Sequence, residues 1–527
     1  MAGPGKWDET VLNLAGPELY RRNAFRLLGL PLGASQRELS RRMQALKLQT
    51  RLGIKELKAA GLAVVPAPDE GTLREAASRL RDPQSRFLEE FFWPWPLKPE
   101  GAEEPDMGLL ALEHGDVAGA IGSWEAASRS GETPGVAAHN LAVVYHALAL
   151  DLECLGQTAA LSPGQVKQRN AYWTHALTQW RTALGDEGFW EAAVGRAVGL
   201  GDPRVDREAV ESLRGVLPSA LLTINARLAA RAAQSWDLDE ARRHTGLLHG
   251  SGFDAGDVER ALLRAAESAR EAIRAACAAS DQEAEAGARR GGEAATRLMD
   301  SAGPSLAVLD ALLPHGHPVL AAHHDDVALR VLRPQVGYAK ETDDWELSLK
   351  LLQRALPLAR GEEACRRLRE NIGIVENNLK LSRCWFCEKR PPDDAAKVKV
   401  PMHRVVARIP IPGGSRIQWQ KLEAYVPRCR RCGAVHARVD SLSLLGCLIG
   451  AVLSLGGCAA VMAASHSKLA GFGWFVLVMV AMGFALNAAS QLPRRRGVKP
   501  ESAKLEFPGI ERLKKEGWSL GEKPQGV

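Results

Sequence analysis

Two stretches of the chain carry no charge. Residues 442–464 and 469–489 contain no Asp, Glu, Lys or Arg, and only Ser465, His466, Ser467 and Lys468 separate them. At about 1.5 Å per residue, each is long enough for a helix that crosses a hydrocarbon core of about 30 Å. Together they predict a transmembrane helical hairpin. Upstream, apolar residues recur at helical spacing through much of residues 20–380, as packed amphipathic helices require. Over 396–411 and 416–426 the pattern changes to alternation around Pro412-Gly413-Gly414, which predicts two strands and a turn. The pattern therefore predicts a mostly α, multidomain chain with a helical array, a small β unit and two transmembrane helices.

Basic residues flank the hairpin on its outer sides. Arg428, Arg430, Arg431 and Arg438 precede it, and Arg494, Arg495, Arg496 and Lys499 follow it; between the helices stand only His466 and Lys468. Loop Lys/Arg bias sets orientation, so both termini of this multi-pass chain are expected to be cytoplasmic. Residues 1–20 agree, having neither the apolar core nor the cleavage site of a secretory signal. At about 100° per residue, Gly446, Gly450 and Gly457 share one face of the first helix, and Ala481, Ala485 and Ala488 share one face of the second. Small faces let membrane helices approach closely, either within the hairpin or between two copies in a dimer.

Near the start, residues 23–47 show a leucine-rich helical pattern interrupted by Gly29-Leu30-Pro31-Leu32-Gly33-Ala34-Ser35. Ser35 is a candidate N-cap with Glu38 as its capping-box partner, opening a helix that runs to about residue 58. Val64-Val65-Pro66-Ala67-Pro68 breaks the pattern, 71–80 resumes it, and Asp82-Pro83 stops it. Three motifs make residues 20–92 resemble the J-domain family: Phe25-Arg26-Leu27-Leu28-Gly29-Leu30, Ala34-Ser35-Gln36-Arg37-Glu38-Leu39 and Leu80-Arg81-Asp82-Pro83-Gln84-Ser85-Arg86. The resemblance implies a small helical fold. It also implies a His-Pro-Asp tripeptide that stimulates ATP hydrolysis by a heat-shock chaperone ATPase. Residues 62–71 contain no His, so that activity does not carry over with the fold. Phe91-Phe92-Trp93-Pro94-Trp95-Pro96 then predicts a strut that packs this unit onto the next domain, and 98–106 is a polar linker.

Residues 109–128 and 136–152 predict two amphipathic helices joined by Gly131-Glu132-Thr133-Pro134-Gly135. Their residues, including Ala120, Trp124, Leu141 and Tyr145, resemble helices of tetratricopeptide repeats. Segments around Trp180, at 236–244 and at 344–356 look similar. Small residues suit close crossings, and Trp or Leu fills the gaps between stacked helix pairs. The spacing is irregular, so the repeats are degenerate. Residues 257–302, rich in Ala, Glu and Arg, predict a long helix or a flexible spacer. His315, His317, His323, His324, Asp325 and Asp326 have metal-binding chemistry. They lack a helical i, i+4 ligand pair, however, and Asp325 is expected to cap a helix over 327–332.

Cys384-Trp385-Phe386-Cys387 and Cys429-Arg430-Arg431-Cys432 flank the two predicted strands. A knuckle, a hairpin and a second knuckle resemble a zinc ribbon. Paired Cys on the cytosolic side favour a metal over disulfides. Four thiolates suit tetrahedral Zn²⁺, and a closed four-ligand site is structural because no position stays open for water. A redox pair or an iron–sulfur centre is the alternative. His403 and His436 are possible substitute ligands.

No catalytic constellation stands out. The chain lacks a phosphate-binding Gly-rich loop and a His-Glu-x-x-His string. Gly517-Trp518-Ser519-Leu520-Gly521 matches Gly-x-Ser-x-Gly, but no Asp and His follow it. A net charge of +6 on 527 residues does not point to nucleic acid, and abundant Ala, Gly and Arg suggest a bacterial source. The expected organisation is a J-like domain (1–100), tetratricopeptide-like repeats (107–256), a spacer (257–302), a second repeat-like segment (303–380), a zinc-ribbon-like unit (381–440), the transmembrane hairpin (441–490) and a cytoplasmic tail without assigned role (491–527). The expected function is a non-enzymatic scaffold or assembly factor at the inner membrane. It would bind protein partners through its repeats, with the bilayer as anchor and structural Zn²⁺ at Cys384, Cys387, Cys429 and Cys432. A membrane-tethered cochaperone is the alternative.

Overall fold

The computed structural model describes residues 6–51, 62–98, 104–130, 133–411, 414–465 and 468–524. Gly131-Glu132, Pro412-Gly413, His466-Ser467, part of the 98–106 linker and the end of the helix expected to reach residue 58 lie outside the described residues. The chain is mostly helical, with one three-stranded sheet among the described residues. It divides into two compact units, 1–278 with 300–324 and 279–299 with 325–527.

The first unit opens with α1 (Lys6–Leu14), α2 (Ala24–Leu28), α3 (Gln36–Arg51), α4 (Glu70–Arg79) and α5 (Pro83–Phe91). Local chemistry sets their ends. Gly29 closes α2 at φ 59°, where a Cβ would be penalised. Ser35 N–H donates to the Glu38 carboxylate at 2.7 Å and Glu38 N–H to the Ser35 hydroxyl at 3.3 Å, the expected capping box. Asp82 caps α5 with Pro83 at its first position, so the Asp82-Pro83 step that ends one helical pattern also starts the next.

Next come α6 (Met107–Glu113), α7 (Val117–Ser130), α8 (Pro134–Thr158), α9 (Pro163–Leu184), α10 (Glu187–Gly199), α11 (Arg207–Gln234) and α12 (Leu238–His249). A single core cluster runs from Trp7 to Leu228, so residues on both sides of 99–103 share it. The strut is its centre. Phe91, Phe92 and Trp95 are almost wholly buried. Trp95 stacks on Phe189 at 5.2 Å, and Phe91 lies 6.3 Å from both Trp180 and Trp190. Asn140 pins the strut backbone, accepting from Trp95 N–H and donating to its carbonyl, both at 2.6 Å. Trp124 is buried against Gly108, where an added Cβ would overlap the indole. Trp236 does not fill such a gap. It is 63% exposed and has φ 61°, because it forms the turn ahead of α12 and Asp237 takes the cap.

The stretch expected as a helix or spacer is helical. It is covered by α13 (Ala255–Glu285) and α14 (Gly291–Leu312). Val258, Leu262, Ala266, Ala269, Ile273 and Cys277 give α13 a buried stripe at helical spacing. Then comes α15 (Pro318–Thr342).

The second unit continues with α16 (Trp345–Ala355) and α17 (Glu362–Leu381). Asp325 does not cap a helix at 327, since it lies inside α15. It accepts instead from the backbone N–H groups of Arg360 (2.7 Å) and Gly361 (2.9 Å), just ahead of α17. β1 (Val398–Ile411) pairs antiparallel with β2 (Gly414–Val426). The chain then forms α18 (Arg430–Ser465), α19 (Lys468–Ser490), α20 (Leu492–Arg495), α21 (Pro508–Lys515) and β3 (Ser519–Leu520). Residues 498–520 are not a free tail. Val498, Phe507 and Ile510 are buried in one core with Phe386, Val400 and the cysteines, and β3 adds to β1 at Met402 and His403.

Among the described residues, three helices are long and apolar enough to cross a membrane: α8, α18 and α19. The apolar window of α8 is 83% buried within the protein, against 11% and 6% for the windows in α18 and α19. So α8 is a core helix, and the other two present apolar surface outward. Within this pair, a Cβ at Gly450 would overlap Met482, and one at Gly457 would overlap Trp474. The facing stripe on α19 is Trp474, Val478, Met482 and Leu486, at i, i+4 spacing. The alanines 481, 485 and 488 are exposed. Glycine notches on one helix receive large side chains from the other.

The core of the first unit also buries two histidines on α8. His139 Nε2 donates to the Phe91 carbonyl at 2.7 Å, and its ring stands 4.5 Å from that of Trp95. Burial, aided by the Arg196 charge, lowers His139 from 6.5 to about 4, and burial lowers His146 to about 3. Depressed folded values mean that the unfolded chain binds the extra protons as pH falls. Stability is thus full above about pH 6.5 and declines toward the folded values. Between pH 7 and pH 5, His139 alone should cost roughly 2 kcal/mol. Urea unfolding of the intact protein in detergent, followed by Trp fluorescence, should show a lower midpoint at pH 5. Replacing His139 by Gln should remove about half of the two histidines' share of that dependence, since His146 keeps the rest, and equal wild-type midpoints at the two pH values would contradict the assignment.

Candidate metal centre

Four cysteines converge in the second unit. One Sγ each from Cys384, Cys387, Cys429 and Cys432 lies within 4.8 Å of every other, and Cys387 and Cys429 are 3.9 Å apart. With metal–sulfur bonds of about 2.3 Å, a tetrahedron has edges of about 3.8 Å, so the donor set is compatible with one metal ion.

The local fold explains the convergence. After α17, Cys384 N–H donates to the Arg390 carbonyl and Glu388 N–H to the Cys384 carbonyl, both at 2.8 Å, which curls the first knuckle. Glu388, at φ 55°, makes the tight reversal. The second knuckle is the start of α18: Cys429 precedes the helix and Cys432 sits in its first turn. A helix N-terminus favours negative sulfur. The knuckles are tied together where Trp385 N–H meets the Pro427 carbonyl at 2.9 Å.

The chain returning from α19 closes the other side. Lys499 N–H donates to the Phe386 carbonyl at 2.8 Å, and Trp385 Nε1 donates to the Ala503 carbonyl at 2.8 Å. Lys499 Nζ lies 3.6 Å from the centre of the Trp385 ring and 2.6 Å from Glu388. So the two residues inside the first knuckle hold the chain that comes back from the helical pair. Apolar residues at helical spacing, Phe507, Ile510 and Leu513, are the signal for this in the sequence.

Electrostatics favours a bound cation. Burial pushes the Cys384 and Cys432 thiols up. Burial also opposes charge on Cys387, but the Lys389 backbone N–H and the thiols of Cys432, Cys384 and Cys429 outweigh it and draw this thiol down. Several thiolates in so small a volume would need a positive partner.

Neither candidate substitute ligand joins the set. His436 Nε2 donates to the Lys499 carbonyl at 3.0 Å. His403 Nδ1 is 3.1 Å from the Gly521 carbonyl. Ser519, from the Gly-x-Ser-x-Gly string, pairs with His403 across β3 and β1, but that imidazole nitrogen is already engaged by Gly521. The residues at 315–326 form no shared donor set among the described residues. His317 faces Glu259 at 3.1 Å, His323 faces Arg270 at 3.3 Å and His324 faces Asp310 at 3.2 Å. Asp326 pairs with Arg330.

Sequence reading missed a second group, Glu153, Glu240 and His244 in the first unit. Its charge is already balanced. Arg169 contacts Glu153 at 3.2 Å and Glu240 at 3.0 Å, and Arg243 contacts both at 2.5 Å. Trp173 Nε1 donates to Glu153 at 2.7 Å. Burial opposes the Glu240 charge, yet His244, Arg243 and Arg169 together hold its pKa low. Two cations against two carboxylates leave no demand for a metal.

A scan of family models, a search of curated proteins and a search of solved structures each found no match to the chain.

Elemental analysis of the purified protein should find a metal bound in proportion to the chain, and a Cys384→Ser, Cys432→Ser variant should lose it; metal retained by that variant would refute the site. Arg243→Met should destabilise the first unit by about 3–5 kcal/mol in urea, the cost of stranding a buried charge. A chelator should leave the wild-type first unit unchanged in the same assay.

Proposed function

We propose that this chain is a membrane-anchored, non-enzymatic scaffold or assembly factor that binds protein partners through its helical unit. The observation that carries the reading is the insertion of α18 and α19 between the two halves of the cysteine module. Both ends of the helical pair are gripped by one small folded core, an arrangement suited to an anchor.

In this reading α18 and α19 cross the inner membrane of a bacterium and the two termini are cytoplasmic. Support comes from the basic residues at both outer ends, Arg428 to Arg438 and Arg494 to Lys499, and from return of both ends to one module. The metal is Zn²⁺. Four thiolates close its coordination shell, so it supplies folding energy and leaves no position for a substrate. In the first unit Phe91, Trp95, Trp180 and Phe189 are buried in the core, and the buried Glu89, Glu90, Glu153 and Arg169 are held in ion pairs, which supports a packed helical scaffold. The J-like helices act as structure, since residues 62–71 carry no His.

Affinity purification of the intact protein from membranes in mild detergent, with cross-linking and mass spectrometry, tests this. A specific, stoichiometric protein cross-linked to helices of the first unit is the expected result. Absence of any stoichiometric partner would sink the scaffold. A chaperone ATPase whose turnover rises with this protein would replace it by the cochaperone reading.

A further inference from the structure

The β-hairpin is made for two surroundings. At its base, Val398, Val400, Met402 and Val426 are buried in the module. β3 covers β1 only at Met402 and His403. Beyond that point β1 and β2 continue as a two-stranded arm, through Arg404↔Gln420, Val405↔Trp419 and Arg408↔Ile417, with a bulge between Val405 and Ala407. A two-stranded ribbon is marginal by itself in water. This one also leaves apolar side chains open: Val406 is 58% exposed and Ile409 42%.

Its charge has one sign. Between residues 404 and 422 the chain has Arg404, Arg408, Arg416 and Lys421 and no Asp or Glu. All four are exposed. The one carboxylate on either strand is Glu423, already engaged by Lys399 at 3.3 Å and by the Tyr425 hydroxyl at 2.9 Å. Exposed cations interleaved with exposed aliphatic groups match a surface that offers anions above and hydrocarbon below.

We propose that this arm is a second membrane contact, docking on the anionic phosphate headgroups of the leaflet that α18 enters. The proposal rests on the reading of α18 and α19 as membrane-spanning. Connectivity and reach support it. Only Pro427, Arg428 and Cys429 separate β2 from α18. From Arg430 to the start of the uncharged run at Leu442, the helix rises about 18 Å. The arm from Met402 to Ile411 extends about 30 Å, enough to meet a surface at that distance. Tethering makes the encounter intramolecular, so modest contacts suffice. Each basic side chain near an acidic leaflet strengthens attraction by roughly fivefold. Val406 and Ile409 enter the headgroup–acyl boundary, and Trp419 is of the residue type favoured there. An acidic peptide or a nucleic acid would satisfy the arginines and leave the aliphatic side chains in water.

The test is hydrogen–deuterium exchange of the full-length protein in nanodiscs, of phosphatidylcholine alone and with phosphatidylglycerol added. Amides of residues 404–420 should exchange at least about fivefold more slowly in the acidic discs. That protection should fade at about 0.5 M salt, where screening shortens the reach of charge. An Arg408→Gln, Arg416→Gln variant should lose most of it while keeping its metal content. Equal exchange in the two disc types, with the protein incorporated in both, overturns the arm and leaves the anchor standing. Failure of the wild-type protein to incorporate overturns both. Stronger protection by single-stranded DNA or polyglutamate in neutral discs than by acidic lipid also overturns the proposal, in favour of a soluble polyanion.

Discussion

Convergence of four thiols is the constraint on which the small module around the β-hairpin depends. Its core is small, and its strands run far past it. Segments at 384–387, 398–402, 426–432 and 498–510 meet only there. Each is distant in sequence, and closing such loops costs chain entropy that a few buried side chains repay poorly. A cation bound by both knuckles would repay it directly, because thiolate ligation is folding free energy. The same closure sets where α18 begins, since Cys429 and Cys432 are both ligand candidates and the opening of that helix.

The first unit solves its packing differently. It has no such clasp; it has aromatic area and compensated charge. Phe91, Trp95, Trp180, Phe189 and Trp190 bring large apolar surfaces together with ring geometries that rings prefer. Several charged groups drawn into this core are met by partners. Arg26 reaches Asp151 at 2.5 Å and the Leu62 carbonyl at 2.9 Å. Glu90 holds Arg86 at 2.8 Å and Arg196 at 3.0 Å. Burial of unpaired charge would be costly, so these networks select one arrangement of the helices. A clustered His or Glu in such a core is therefore poor evidence of chemistry.

The proposed anchor and the proposed arm share a logic. Apolar side chains that no protein surface covers demand another solvent. Over residues 442–464 of α18 and 469–489 of α19 the chain is uncharged, as the interior of a bilayer requires. On the β-hairpin it alternates with arginine, as a headgroup layer permits. Composition changes along the chain in the order in which those environments would be met.

Several features were legible in the sequence because they are local. The capping box at Ser35 and Glu38, the two uncharged helices, the strand alternation and the two Cys-x-x-Cys pairs need only near neighbours. Ligand type and spacing pointed to Cys384, Cys387, Cys429 and Cys432, and these are the residues brought together. What the sequence left open depended on partners distant along the chain. Asp325 accepts from backbone N–H groups 35 and 36 residues later, just ahead of α17. The small residues of the hairpin were visible, yet only packing decided that glycines meet Trp474 and Met482 while the alanines face outward. Most of all, residues 498–520 look like a tail until the backbone of Phe386 and Met402 is in place to receive them. Local propensity specifies elements; which surfaces meet is decided by long-range closure, and no window along the chain contains both sides of it.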